Sequence, residues 1–189
     1  MSTSHRIAVL VGSLRKGSYN RKAALAMKAL APPELALEIV EIGELPLYNE
    51  DLEGEGRTAP EAWTRFREAV RGADGVLFFT PEYNRGVPGG LKNAIDVGSR
   101  PYGKSVWSGK PGAIVSLSPS AIGGFGANHA LRQSMVFLDV PMMQQPEAYV
   151  GGASKLFADS GELASEDTKK FFTTIITTYA AWVAKFARK

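Results

Sequence analysis

The residues best suited to chemistry lie near the start of the chain, where GSLRKGSYN at residues 12–20 follows the apolar run 7–11 and precedes an Ala-rich stretch. A strand that feeds a short Gly/Ser-rich loop into a helix aims the helix's unpaired N–H groups and the positive end of its dipole into the loop, an arrangement made for an anion. Gly12 and Gly17 permit close backbone approach, Ser13, Ser18 and Asn20 supply neutral donors, and Arg15 supplies a planar fork matched to phosphate oxygens. The same residues would also serve a plainer purpose, with Ser18 as a helix cap and Arg15 and Lys16 as solvated charges. There is no GxxxxGK followed by Ser or Thr, and no GxGxxG, so neither a nucleoside-triphosphatase loop nor the usual dinucleotide fingerprint is expected.

A second candidate, PEYNRGVPGG at residues 81–90, offers few side chains for acid–base work and much main chain. Gly86, Gly89 and Gly90 let a flat group approach the backbone, while Pro81 and Pro88 stiffen the loop. Such a surface suits a flavin ring, which needs N–H and C=O partners and carries its own redox chemistry. For Glu82, Tyr83 and Asn84 the plainer account is a capped turn before a helix. A third Gly/Ser-rich stretch spans residues 118–126.

Composition narrows the field. The chain has 189 residues and a formal net charge of +3, with acids and bases interspersed and no Lys/Arg block of nucleic-acid type. Its length suits one domain over residues 1–189, and its pI near 9.1 fits small anionic ligands. The absence of Cys excludes disulfides, Cys-ligated metals, iron–sulfur clusters and a thiol nucleophile. No metal site is expected. Neither a signal-peptide apolar region nor a run of membrane-spanning length is present, so a soluble cytoplasmic protein is expected.

The elements that must position these loops alternate regularly. Strands are expected at residues 6–11, 35–42, 75–80 and 112–117, with a short fifth at 141–144, and helices at 21–30 and from Leu91. Thr58 and Glu61 form a capping-box pattern ahead of Trp63, Phe66 and Val70, which recur at helical spacing. A fourth helix carries Leu131, Met135 and Leu138. The last starts near Ser165 and ends with Lys185, Arg188 and Lys189; Phe172, Ile175, Ile176, Tyr179, Trp182, Val183 and Phe186 form its apolar stripe. The alternation predicts an α/β three-layer sandwich, flavodoxin-like, with a five-stranded parallel sheet of order 2-1-3-4-5. Ligands of such sheets lie beyond the strands' carboxyl ends at the topological switch, where all three unusual loops converge.

Taken together, GSLRKGSYN, TPEYNRGVPGGLKNAID at residues 80–96, SxxxIGGFGAxxxLRQ headed by Ser118, and PEAYVGG at 146–152 resemble the NADPH-dependent FMN reductase family, and within it the soluble chromate and quinone reductases. The resemblance runs over nearly the whole chain. It implies a flavodoxin-like fold that binds FMN noncovalently, in a homodimer or homotetramer with each flavin near a subunit interface. It implies phosphate binding by Ser13, Arg15, Ser18, Tyr19 and Asn20, ring contacts from Pro81, Glu82, Tyr83 and Asn84, and Ser118 on the ring's other side. Two positions depart from the family pattern: Arg85 stands where an aromatic often follows PEYN, and Gly126 where a basic residue often sits.

The function expected from the resemblance is an NAD(P)H:acceptor oxidoreductase. A hydride would pass from NADPH or NADH to the flavin and electrons then to a quinone, chromate or similar small molecule, in ping-pong turnover. No side chain need act catalytically, and His5 and His129 are weak candidates for such duty. Arg85 is a candidate at the substrate opening, either steering anions or pairing with Glu147 across an interface. The alternatives are a flavodoxin-type electron carrier, which a basic pI disfavours, and a flavin-binding protein without turnover.

Overall fold

In the computed structural model, which describes residues 4–54, 56–158 and 160–186, the first strand, β1 (His5–Val11), sends Ile7, Val9 and Val11 into one apolar core and Ala8 and Leu10 into another. Both sets are buried because the strand is covered on both faces, which is why its sequence is a continuous apolar run. The same division recurs in β3 (Gly75–Thr80), where Leu77 and Phe79 face the first core and Val76 and Phe78 the second, and in β4 (Gly112–Leu117). With β2 (Leu35–Ile39) and β5 (Tyr149–Val150) they form a parallel sheet of order β2-β1-β3-β4-β5, the flavodoxin-like order expected.

The helices α1 (Tyr19–Leu30) and α5 (Glu166–Phe186) close the first core. On the other face lie α2 (Glu61–Arg71), α3 (Gly89–Gly98) and α4 (Phe125–Phe137). The stripe on α5 is core as its spacing predicts: Phe172, Ile175, Ile176, Tyr179 and Val183 are buried, while Trp182 is partly covered and Phe186 exposed. Ser165 caps this helix through its Oγ, which accepts the Thr168 N–H at 3.2 Å. Lys185 lies in its last turn; Arg188 and Lys189 lie outside the described residues.

Three expectations are corrected. The fifth strand is not at residues 141–144. Met142 makes only an isolated bridge to Gly112, and the paired strand is Tyr149–Val150. Pro146 has no N–H to donate, and around it Gln144, Gln145 and Glu147 swing out to solvent before the chain rejoins β4. The capping box of Thr58 and Glu61 does not form either: Pro60 is the N-cap, its carbonyl accepts from Trp63 and Thr64, and Glu61 pairs with Arg65. Strand β2 stops at Ile39 rather than Ile42, whose side chain is buried in the second core.

The long connection after β2 is anchored by one buried ion pair. Arg67 donates to Glu53 through both terminal nitrogens, at 2.6 and 2.9 Å, and through Nε to the Val97 carbonyl at 2.8 Å. Both side chains are nearly enclosed, and the guanidinium also lies over the Trp63 ring. Removing one partner of such a pair strands the other charge. Glu53→Gln should therefore lower stability by about 3 kcal/mol or more in urea unfolding, and a loss under about 1 kcal/mol would show that water reaches Arg67.

Candidate functional site

The three loops meet because β1, β3 and β4 end side by side. The Gly12 N–H donates to the Phe79 carbonyl at 2.8 Å, and a Cβ at Gly12 would stand 3.0 Å from Leu91 Cδ2 and 3.4 Å from Pro81 Cδ. Only glycine lets the first loop settle against the second. The third loop is braced from its far side, where the Ala153 N–H donates to the Ser118 carbonyl at 3.0 Å and a Cβ at Gly151 would collide with the Ala121 carbonyl.

In the first loop both readings of Ser18 coexist. Its Oγ caps α1 by accepting the Arg21 N–H at 3.2 Å, yet the loop remains suited to an anion, since the first turn of α1 carries no acid. Ser13, Ser18 and Asn20 are all buried. Arg15 is held over the loop by the Tyr19 ring, 5.3 Å from its guanidinium carbon, and Tyr19 in turn stacks on Phe157. Asn20 lies in the first turn of the helix, and its Oδ1 is buried with no hydrogen-bond partner. An unpaired buried polar atom is costly to the folded chain.

The second loop turns tightly at Asn84 and Arg85, which have φ of 52° and 64°. Tyr83 and Gly86 exchange N–H···O bonds of 3.2 and 3.0 Å across this pair, giving a two-residue hairpin of the type that needs positive φ at both central positions. Asn tolerates that conformation; Arg bears a steric cost of roughly 1–2 kcal/mol. Glu82 turns away from the hairpin tip. Its largely enclosed carboxylate accepts N–H bonds from Ala127, at 3.0 Å, and from Gly126, together with a 2.9 Å bond from Arg85. Burial raises its pKa, but these bonds outweigh it and hold the group below the usual carboxylate range.

Arg85 thus has an ion-pair partner in its own chain. Glu147 accepts instead from the Tyr149 hydroxyl at 2.9 Å, and that hydroxyl also contacts His129 Nε2 at 2.8 Å. Burial, followed by Glu147, raises the Tyr149 pKa. His5 sits at the opposite end of β1 from the loops, 3.9 Å from Asp74, and has no access to chemistry there.

Ser118 opens the third loop, its Oγ accepting the Ser120 N–H at 3.2 Å. Each loop exposes apolar side chains: Leu14 from the first, Tyr83 from the second, Ile122 and Phe125 at the third. Neither Leu14 nor the last two stand out in the sequence; the signal available is the placement of Ile122 and Phe125 beside glycines and of Leu14 within the Gly/Ser-rich loop. A groove of about 620 Å³ also opens between α1 and residues 160–166, but it is lined by Leu25, Ala26 and Leu163 with a mixed-charge rim and presents no convergent donors. Among the described residues no group of three metal-ligating side chains occurs, and no helix is long and apolar enough to cross a membrane.

A doubly wound parallel sheet with an anion-receptive first loop and a glycine-rich second loop at the switch point defines a flavodoxin-like protein. Residues 5–155 match the model of the NADPH-dependent FMN reductase family, and the chain belongs to that family. It is 66% identical over 183 residues to a quinone reductase of Pseudomonas putida, covering 97% of each chain. It is 46% identical to a 2-hydroxy-1,4-benzoquinone reductase of a Burkholderia species, covering 94% of this chain and 96% of that one. Among solved structures it resembles the flavoenzyme NAD(P)H:(acceptor) oxidoreductase FerB of Paracoccus denitrificans, with a TM-score of 0.90 and 38% identity over 97% of this chain and 100% of the other. The protein is an NAD(P)H-dependent, FMN-using oxidoreductase.

The residues present fit the cofactor. Its phosphate requires donors at a helix start free of acids, which the first loop offers, and its ring requires open main chain, which the second loop offers. At the first of these sites Ser13, Ser18 and Asn20 are buried beside an acid-free helix start, and the group of Asn20 suited to a phosphate oxygen is its amide NH2, a donor. Asn20→Ala should leave the flavin-free protein at least as stable as wild type, with a gain of up to about 1 kcal/mol from the lost unpaired atom and the better helix former. A lower urea midpoint for the variant would show that the amide is satisfied without ligand.

Proposed function

We propose that the chain reduces quinones, with chromate as a further acceptor, in ping-pong turnover, donor and acceptor taking the same place over the flavin in succession. What supports this is that all three loops expose apolar side chains, Leu14, Tyr83, Ile122 and Phe125, which in this reading form a rim beyond the carboxyl ends of the strands. Such a rim accepts a flat apolar molecule and discriminates weakly between a nicotinamide and a quinone. The named activities of the Pseudomonas putida and Burkholderia relatives support the choice of a quinone as acceptor.

In this reading Ser13, Arg15, Ser18, Tyr19 and Asn20 hold the FMN phosphate. Pro81, Glu82, Tyr83 and Asn84 present main chain to the ring, and Ser118 lies on its other side. When bound, FMN supplies the redox chemistry, taking a hydride from NADH or NADPH and returning electrons to the acceptor. The side chains bind and orient, and none is assigned a proton transfer. The protein works as one domain over residues 1–189, as a homodimer or homotetramer in the cytoplasm.

Anaerobic mixing with NADH or NADPH tests the reading directly. Rapid bleaching of the flavin and recovery on adding a quinone are expected, whereas an electron carrier would not be bleached. The phosphate assignment has its own measurement: flavin-free protein should prefer FMN to riboflavin, and Arg15→Ala should cost roughly 1.5–3 kcal/mol of FMN affinity. Equal affinity for the two flavins would reject it.

Initial-rate plots at several acceptor concentrations should be parallel, and intersecting lines would reject the shared place. Arg85 is exposed despite its bond to Glu82 and lies at the tip of the second loop. We assign it to steering of anionic acceptors, so Arg85→Ala should lower kcat/KM for chromate several-fold more than for a neutral quinone, a difference that fades with rising salt. Equal losses for both acceptors would rule steering out.

A further inference from the structure

The carboxylate of Glu82 bonds to Arg85 of its own loop and also reaches beyond it. The N-cap of α4 is Gly124, in the left-handed conformation and without a side chain, so the first N–H groups of the helix need an acceptor from elsewhere. Glu82 supplies it from 45 residues away, taking the N–H of Ala127 and of Gly126. The fit leaves no slack. A Cβ at Gly126 would stand 2.8 Å from Glu82 Oε2 and 3.1 Å from the Arg85 carbonyl. A Cβ at Gly124 would approach Ser116 Cβ to 3.1 Å. The charge is also well placed, since the first turn of α4 carries no acid and its positive dipole end faces the carboxylate.

We propose that Glu82 is a positioning residue that clamps the second loop onto the N-terminus of α4 and so holds the flavin cleft in its binding shape before the cofactor arrives. This rests on the FMN reading above and changes the part Glu82 plays in it: the side chain ties two walls of the cleft together, and the loop's main chain is left to meet the ring. Arg85 completes the clamp from within the loop, its 2.9 Å bond to Glu82 offsetting part of the steric cost of its left-handed conformation. The departures at positions 85 and 126 then belong together, because a side chain at 126 would occupy the space the carboxylate uses.

The clamp needs an ionised carboxylate. The charges facing Glu82 are the Arg85 guanidinium and the positive end of the α4 dipole. A carboxyl whose folded pKa is depressed contributes fully above its unfolded value and loses its contribution as pH falls through the folded one. The clamp is therefore closed at neutral pH and released in acid.

The test compares full-length wild type with Glu82→Gln, which keeps the shape and loses the charge, and Glu82→Asp, which keeps the charge but is one methylene short. Backbone amide exchange is followed in the flavin-free chains, and each is titrated with FMN. In both variants the Gly126 and Ala127 amides should exchange about tenfold faster or more while those of β1 and β3 keep their protection, and the FMN Kd should rise by about tenfold. In wild type, the two amides and the Kd should shift together toward the Glu82→Gln values as pH is lowered, an arm that needs no variant. Wild-type Kd in both variants would overturn the proposal. So would a weakened Kd with unchanged Gly126 and Ala127 exchange, which would mean that the carboxylate touches the ring, and so would a uniform loss of protection across the sheet. A wild-type chain that takes up no FMN would reject the cofactor reading and this role with it, a result readily told apart from wild-type binding that ignores Glu82.

Discussion

The bond from the Gly12 N–H to the Phe79 carbonyl is the last one joining β1 to β3, and the geometry of the cleft depends on where it falls. Beyond it both segments leave the sheet, one into the loop at residues 12–18 and one into the hairpin of Tyr83 and Gly86. The parallel register behind it places Val11 opposite Phe79 and Thr80 opposite Ser116, so three strands release their chains at nearly one level. A one-residue slip would turn every core side chain of β1 to the wrong face, and the two apolar cores that share the strand forbid it. Hydrophobic burial thus fixes, to within a residue, where polar backbone becomes available for ligand.

Beyond that level the cleft is assembled by contacts that only small residues permit. Gly12 lets the first loop lie on Pro81 and Leu91, Gly124 lets α4 begin against β4, and Gly126 leaves room for a carboxylate from another loop. Polar groups then take up the donors this crowding exposes: Ser18 at α1, Glu82 at α4, Ser165 at α5. Asn20 is the exception, a buried amide oxygen with no hydrogen-bond partner in the first turn of α1.

Much of this was legible in the residue order. Continuous apolar runs marked β1, β3 and β4 because strands buried on both faces have no polar side to show, and the glycine and serine clusters after them marked the loops. What escaped the sequence depended on distant partners. The Thr58 and Glu61 pattern fits a cap, yet Pro60 begins α2 and Arg65 takes the carboxylate. The apolar stretch at 141–144 reads as a fifth strand, but it makes only the Met142 bridge, and pairing continues after Pro146, at Tyr149. The glycines and prolines around PEYN point to a loop that presents main chain, but they say nothing of where the Glu82 side chain goes. The destination of Glu82's carboxylate is set by a helix start 45 residues later, a separation no local rule spans.

The interruption of the last strand also governs how the sheet meets other molecules. An outer strand with a long row of unpaired N–H and C=O groups is a template on which another chain can polymerise. Here the outermost strand has two paired residues, Tyr149 and Val150, flanked by Pro146 on one side and Gly151 and Gly152 on the other. Before it, Arg132 caps the Met143 carbonyl at 2.9 Å, removing one more acceptor from the border. The same interruption that breaks the ladder therefore shortens the template at this border of an apolar parallel sheet, leaving little backbone there on which a second chain could continue it.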